Sequence, residues 1–376
     1  MILPGATLGM LGGGQLGRMF TTAAQTMGYK VIVLDPDTNS PAGMIANQHI
    51  CAKYDDESAL AILAEACDAI TTEFENIPAA TLAFLENKTV VHPSAAALAK
   101  TQNRITEKEF ISSLGIAVAP FVAIHNESDF NNVEGGITFP AILKLANFGY
   151  DGKGQVTCHN LDDVKQAFAD LNQAECVLEQ RINLEREVST VLARSQLGDI
   201  TNFPIAENVH VNGILHSTTV PSVINQVQTQ TVMEMADKIA EALDYIGTMA
   251  VEFFISKEGD ILANEIAPRP HNSGHFTLDA CETSQFEQQV RMLCNLPSGN
   301  CELTSPVVMI NLLGDVWGQT EPHWFELLSI PNNKLHLYGK LEARAGRKMG
   351  HFNTLATSTE QATQIADTSF EQLKAN

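Results

Sequence analysis

The sequence predicts a mixed fold: an α/β unit on a parallel sheet, a larger antiparallel α+β region, and a small β-rich C-terminal piece. Between residues 6 and 95, short β-rich runs alternate with helical periodicity, the pattern that places helices on both faces of a parallel sheet. From about residue 140 to 270, runs of β-branched and aromatic residues are joined by turns, as in hairpin-rich sheets. At 376 residues the chain is too long for one core, so several domains are expected.

"ATLGML" reads as the first strand. "GGGQLGRMF" follows, with Gly12, Gly14 and Gly17 in a G-x-G-x-x-G arrangement, and Leu16, Met19, Phe20, Ala23, Ala24 and Met27 then repeat at helical spacing. "KVIVLD" is the second strand and ends in Asp35. This matches a nicotinamide dinucleotide fingerprint, including its acid about twenty residues on. Any tight strand-to-helix turn favours glycine, however, and the helix N-terminus that it opens accepts any anion. "SALAILAEAC" and "AATLAFLEN" have helical patterning, and "DAITTEF" and "TVVHPS" read as strands. Ligands of such sheets gather at the carboxyl ends of the strands. The glycine turn, Asp35, Glu73 and Glu75 all fall there, so the first domain has an acid-lined crevice.

One helix is expected over "KTQNRITEKEFISSLG", closed by Gly115, followed by strands "VAPFVAI" and "FPAILKLA". The hairpin-rich region is interrupted by the helix "VMEMADKIAEALDYIG". From about residue 305 come the strands "VVMINLLG" and "LHLYG", a loop rich in glycine and basic residues, and a final helix.

The net charge of -21, with no Lys/Arg cluster suited to a phosphate backbone, excludes an electrostatically driven nucleic-acid binder. No apolar run is long enough to span a bilayer, and no basic stretch followed by an apolar one opens the chain. A cytoplasmic protein without a membrane partner is expected. The seven cysteines include no C-x-x-C pair and read as reduced core thiols.

"MAVEFFISKEGDILANEIAPR" reads as a hairpin with Glu258-Gly259 as its two-residue loop. In that register Ser256 faces Ile261 and Glu252 faces Glu265. Glu252, Phe254, Ala263 and Glu265 then share one face, and Val251, Phe253, Leu262 and Ile266 the other. Opposed carboxylates repel unless a cation lies between them, and oxygen-only ligands favour magnesium. Lys144 sits in the apolar run "AILKLA", directly before the glycine loop "NFGYDGKGQ". That loop lacks the G-K-[ST] of a P-loop, yet its backbone N–H groups suit a polyphosphate. Glu179 and Glu187 fall just beyond strand ends, and Lys340, Arg347 and Lys348 form the one compact basic group. His271 and His275 are four apart, but Pro268 and Pro270 argue against a zinc-binding helix there.

Together, the lysine, glycine loop, two later acids and hairpin acid pair resemble the ATP-grasp superfamily. "GGGQLGRM", "TEFENIP", "FGYDGKGQ", "PIAENVHVNGIL", "MAVEFF", "NEIAPRPHNSGHFTLDAC", "TSQFEQ" and "HLYGK…AGRKMGH" run in the order found in the N(5)-carboxyaminoimidazole ribonucleotide synthetases. This resemblance covers essentially the whole chain. Ala267 departs from the wider superfamily's E-x-N-x-R but is tolerated in this family.

The resemblance implies a Rossmann-like pre-ATP-grasp domain over residues 1–105, an ATP-grasp region over 106–305 with a mobile lid at about 116–182, and a small C-terminal domain over 306–376. It also implies ATP-dependent carboxylation of 5-aminoimidazole ribonucleotide by bicarbonate, through carboxyphosphate, in purine biosynthesis by a homodimer. ATP would be held by Arg104, Lys144, Gly149, Tyr150, Asp151, Gly152, Lys153, Gly154, Gln155, Glu179, Gln180, Arg181, Ile182, Glu187, His210, Asn264 and Glu265. Glu252 and Glu265 would hold magnesium, or manganese in its place; Arg269 and His271, with Lys144, would serve bicarbonate and carboxyphosphate. The ribonucleotide would meet Gly14, Gln15, Leu16, Glu73, Glu75, Tyr150 and Asp151, with its phosphate on Lys340, Arg347 and Lys348. Another ATP-grasp ligase, such as a formate-dependent glycinamide ribonucleotide transformylase or a biotin carboxylase, and a nicotinamide-dependent oxidoreductase are the competing readings.

Overall fold

The computed structural model describes residues 1–147, 154–318 and 320–374, whose strands form three sheets. The first is parallel throughout: β1 (Thr7–Leu11), β2 (Lys30–Leu34), β3 (Gln48–Ile50), β4 (Ala69–Thr72) and β5 (Val90–Val91), in the order β3-β2-β1-β4-β5. The short β3, with no fully buried side chain, carries too little periodicity to be read from sequence. Helix α1 (Gln15–Thr26) sets Phe20 and Ala24 against Leu8, Met10, Val31 and Val33. On the other face, α2 (Glu57–Ala66) and α3 (Ala79–Glu86) set Leu60, Leu63, Leu82 and Leu85 against Leu11, Ile32, Leu34 and Ile70.

The glycine turn binds its own carboxylates. Gly14 N–H donates to Glu73 Oε1 at 2.5 Å and Gly17 N–H to Glu73 Oε2 at 2.7 Å. Gly13 N–H donates to Asp35 Oδ2 at 2.7 Å, and the Tyr54 hydroxyl reaches the same oxygen at 2.6 Å. A side chain at Gly14 would place Cβ 2.6 Å from Glu73 Oε1, so the glycines make room for Glu73. The anion-binding position at the start of α1 is filled from within.

The single helix expected over residues 100–115 is two, α4 (Ala95–Thr101) and α5 (Arg104–Ser113). Asn103 ends the first by capping the second, its side chain accepting from the Ile105 and Thr106 N–H groups. The second sheet comprises β6 (Phe121–Ile124), β7 (Ala141–Leu145), β8 (Gln155–Cys158) and β9 (Cys176–Gln180), in the order β6-β9-β7-β8. Helix α6 (Leu161–Asp170), capped by Asn160, packs Val164 and Phe168 on its core. It is a second helix in a region where the sequence suggested one.

The third sheet comprises β10 (Leu184–Arg194), β11 (Ile200–Asn202), β12 (Ala206–Val211), β13 (Ile214–Val220), β14 (Gly247–Ser256), β15 (Ile261–Ala267), β16 (Val307–Leu313), β17 (Asn333–Leu337) and β18 (Lys348–Leu355). The order is β15-β14-β10-β12-β13-β16-β18-β17, with β11 on β10. The C-terminal strands thus extend the central sheet through the β13–β16 pairing. Helix α7 (Gln226–Ala242) covers this sheet through Val232, Ala236 and Ile239. After the short α8 (Thr277–Ala280), α9 (Gln285–Leu293) packs Phe286, Val290 and Leu293 on the first sheet's core. Gln289 of α9 donates to Thr71 Oγ1 at 2.7 Å and accepts from Thr248 N–H at 2.5 Å, fastening β4 to β14. Helices α10 (Trp324–Leu328) and α11 (Thr359–Leu373) cover the C-terminal strands.

At Gly17 a Cβ would stand 2.7 Å from the Gly12 carbonyl oxygen, a backbone atom that cannot swing aside. Gly17→Ala should therefore cost about 1–3 kcal/mol, read as a lower denaturation midpoint at unchanged m-value. A wild-type midpoint would show that the turn is not as tightly packed as described.

Candidate active site

A cavity of about 520 Å³ opens between the three sheets. Gln15 and Leu16 enter it from the start of α1, and Glu73, Phe74 and Glu75 from the segment after β4. Lys144 and Gln155 come from the second sheet; Glu187, His210, Glu252, Asn264, Glu265 and Lys348 come from the third. Arg104 arrives on α5, and Arg269, His271 and Asn272 follow β15.

Glu252 on β14 pairs with Glu265 on β15, as the sequence suggests. The rest of that hairpin differs. Ile255, not Ser256, faces Ile261, and the register shifts beside Glu252. The loop is Lys257-Glu258-Gly259, with Ser256 N–H donating to the Asp260 carbonyl and Gly259 at φ 92°. This is the three-residue hairpin in which glycine takes the left-handed position. One extra residue at Asn264 absorbs the difference, the usual role of a β-bulge. It moves Ala263 to the core face with Phe253 and Leu262 to the face of Phe254, reversing the expected assignment of both.

The carboxylates are held by groups from elsewhere in the chain. Arg104 Nη1 lies 3.2 Å from Glu265 Oε2, and His271 Nε2 lies 3.2 Å from Glu252 Oε1. Burial, and then Glu265, push the Glu252 carboxyl up to about 7. Burial, and then Arg269, hold the His271 imidazole well below its ordinary range. Behind His271 runs a chain of side chains: Ser273 Oγ is 2.8 Å from His271 Nδ1, Ser189 Oγ is 2.7 Å from Ser273 Oγ, and Asn208 Nδ2 donates to Ser189 Oγ at 2.9 Å. Arg269 is clamped by Glu75 through Nε–Oε2 at 2.5 Å and Nη2–Oε1 at 3.2 Å. This fork fixes the plane of the guanidinium.

Beneath the cavity Lys144 Nζ and Lys108 Nζ meet the same oxygen, Glu179 Oε2, at 2.9 and 3.2 Å. Burial alone would raise the Glu179 carboxyl, but Lys144 and then Lys108 pull it down to about 2. Burial pulls the Lys144 ammonium down while Glu179 holds it up, with a lowered value as the result. Glu107 caps the hairpin by accepting Ile266 N–H at 2.6 Å, and burial followed by Glu265 raises its carboxyl to about 8. His210 Nδ1 lies 2.5 Å from Glu187 Oε2.

Other expected residues fall outside the cavity wall. Gly14 serves Glu73, and Gln180 Oε1 accepts from Thr138 N–H. Arg181 is exposed, Ile182 is half-buried beyond β9, and Gly154 packs on Leu145. Lys340 Nζ donates to the Lys348 carbonyl at 2.7 Å, whereas Arg347 donates to the Glu342 carbonyl at 2.9 Å. Gly149, Tyr150, Asp151, Gly152 and Lys153 lie outside the described residues. Sequence reasoning missed Glu107, Lys108, Ser189, Asn208, Asn272 and Ser273. For the first two a signal existed: with Arg104 and Ile111 they repeat at helical spacing, a charged stripe on the buried face of α5.

Residues 5–102 match the ribonucleotide synthetase preATP-grasp domain, 109–286 the ATP-grasp domain and 307–365 the phosphoribosylaminoimidazole carboxylase C-terminal domain. The N5-carboxyaminoimidazole ribonucleotide synthase of Brucella melitensis is 46% identical over 358 residues, 95% of this chain and 98% of the relative. The Staphylococcus aureus synthetase solved with ADP is 41% identical, with a TM-score of 0.92 and 98% of each chain covered. The Aspergillus clavatus synthase solved with ADP and 5-aminoimidazole ribonucleotide is 28% identical, with a TM-score of 0.90 and again 98% of each chain covered. A glycine turn closed by its own Glu73 and a cation-laced carboxylate site at the hairpin leave no case for a nicotinamide enzyme. The chain belongs to the N5-carboxyaminoimidazole ribonucleotide synthases, ATP-dependent ligases of purine biosynthesis.

Proposed function

We propose that the cavity joins bicarbonate to the exocyclic amine of 5-aminoimidazole ribonucleotide, with ATP cleaved to ADP and phosphate. The observation that carries this reading is the convergence of Glu252, Glu265, Arg269, His271, Lys144 and Lys348 on one cavity. A bicarbonate oxygen takes the γ-phosphoryl group of ATP, giving carboxyphosphate and ADP. Cleavage of the carboxyphosphate C–O bond releases phosphate and carbon dioxide. The amine adds to the carbon and loses a proton to give the carbamate. Such transfers need alignment and charge neutralisation more than covalent help. Arg269, oriented by Glu75, is suited to the anionic oxygens of bicarbonate and carboxyphosphate, and Lys144 to the phosphates of ATP. The opposed pair Glu252/Glu265 offers only oxygen donors, and burial followed by the repulsion of Glu265 raises Glu252, which fits a magnesium or manganese ion. When bound, that ion would neutralise phosphate oxygens.

The ribonucleotide lies toward Gln15, Leu16 and Glu75 in this reading, with its phosphate near Lys348 and Lys340. A mobile lid at about 116–182 is part of the same reading. The domain limits set out from sequence and a homodimeric assembly remain part of the proposal. No helix among the described residues is long and apolar enough to cross a membrane, and the cytoplasm is the proposed location.

ATP cleavage should require both bicarbonate and 5-aminoimidazole ribonucleotide and should yield an acid-labile carbamate. Turnover with formate in place of bicarbonate would transfer the chain to a formate-using chemistry. Lys348→Met should raise the Michaelis constant for the ribonucleotide about ten- to a hundredfold, as expected for losing a charge-assisted bond. Arg347→Ala, which removes a group turned onto Glu342, should change it less. The reverse ranking would move the phosphate site to Arg347.

Metal binding should also leave a pH signature. Without metal, the folded protein keeps a proton on Glu252 up to about pH 7, whereas an unfolded chain loses it near ~4.3. That group's contribution to stability is fully present below the unfolded value and is lost as pH rises through 7. A divalent ion must displace this proton. Magnesium with ADP should therefore raise the melting temperature more at pH 8 than at pH 6, and EDTA should reverse the gain. Equal shifts at both pH values would remove Glu252 from the metal site.

A further inference from the structure

Lys108 has no place in the cavity wall, yet it is buried against a residue that serves the wall. Its side chain is 2% exposed, and its ammonium lies 3.2 Å from Glu179 Oε2, the oxygen that Lys144 meets at 2.9 Å. Among the described residues, Glu179 Oε1 is buried and without a partner. One carboxylate therefore carries two ammonium groups on one oxygen. They differ in what else they can reach. Lys144 lines the cavity on β7, and Lys108 is anchored on α5, one turn beyond Arg104.

A polyphosphate entering the cavity would compete with Glu179 for Lys144. With a single lysine, that transfer would strand a buried carboxylate without a counter-ion, which is strongly unfavourable. With two lysines, Glu179 stays neutralised while Lys144 leaves. We propose that Lys108 is a positioning residue for ATP: it remains on Glu179 as a standing counter-ion and so frees Lys144 for the phosphates. This rests on the reading above that Lys144 serves the phosphates. It assigns to Lys108 a part in nucleotide affinity although Lys108 itself does not touch the nucleotide.

The test is a double-mutant cycle read on the Michaelis constant for ATP. Lys108→Met should leave Lys144 held by Glu179 and raise that constant by about tenfold, the scale of one charge-assisted bond. The constant for the ribonucleotide should hold within about twofold, since its proposed contacts are untouched. In the Glu179→Gln background there is no carboxylate to neutralise, so adding Lys108→Met should have no further effect on the ATP constant. Lys108→Arg, which keeps the charge, should behave as wild type. An unchanged ATP constant in Lys108→Met, or an equal rise in both backgrounds, would overturn the proposal, because a merely structural lysine acts regardless of Glu179. If Lys108→Met does not fold, Lys108→Gln takes its place in the same cycle and is read by the same outcomes. Lys144→Met tests the underlying reading separately. No change in its ATP constant would remove Lys144 from the phosphates, whatever Lys108 does.

Discussion

Two glutamates, Glu252 and Glu265, face each other across β14 and β15, and much of the surrounding structure serves to make that tolerable. Glu107, Glu179, Glu187 and Glu75 stand nearby, so carboxylates gather around one cavity, with Glu107 and Glu179 fully buried among them. Four of the six meet a basic group from another part of the chain: Glu265 meets Arg104, Glu179 meets Lys108 and Lys144, Glu187 meets His210, and Glu75 meets Arg269. Removing one partner of a buried pair typically costs about 3–5 kcal/mol. The functional site is therefore also a fastening between the sheets. In a chain of net charge -21, these internal basic groups make a local positive region that the long-range field does not.

Geometry and electrostatics meet in the segment after β15. It must carry Arg269 to Glu75 on the first domain and His271 to Glu252 on the third sheet, within a span of three residues. This is feasible only if the two sheets keep a fixed distance. Helix α9 supplies that, with its apolar side on the core of β1 and β2 and Gln289 bonded to Thr71 and Thr248 together. The Gln289 amide joins buried groups of both sheets, so a shift of either would leave a polar group unsatisfied.

The pairing of Glu252 with Glu265 was legible because side chains in a hairpin alternate with period two and a glycine marks the turn. The same rule misplaced Ala263 and Leu262, because two errors cancelled at the acid pair: the loop is one residue longer than assumed, and a bulge at Asn264 restores the register. A bulge has no composition of its own. Lys108 was hidden for a different reason. Its spacing with Arg104, Glu107 and Ile111 marks the buried stripe of α5, yet nothing local points to its partner Glu179, far away in sequence. The glycine turn was legible as a turn and misleading as a dinucleotide site, since the carboxylate that fills it comes from beyond β4. The break between α4 and α5 turns on one capping asparagine inside a run of good helix formers.

The hydrogen bonds behind His271 have a direction, and this sets what the imidazole can do. The Thr218 hydroxyl donates to Asn208 Oδ1 at 2.9 Å, which orients the amide and points Nδ2 at Ser189. Ser189 Oγ accepts that bond and shares a hydrogen bond with Ser273 Oγ, which in turn lies 2.8 Å from His271 Nδ1. The Ser273 backbone N–H faces the same nitrogen at 3.3 Å. Nδ1 is therefore an acceptor, and the proton of the neutral ring sits on Nε2, facing Glu252 Oε1 at 3.2 Å. An N–H fixed at that point can hold an anionic oxygen but cannot accept a proton there. His271 thus presents a hydrogen-bond donor, not an acceptor, to Glu252 and the cavity beside it.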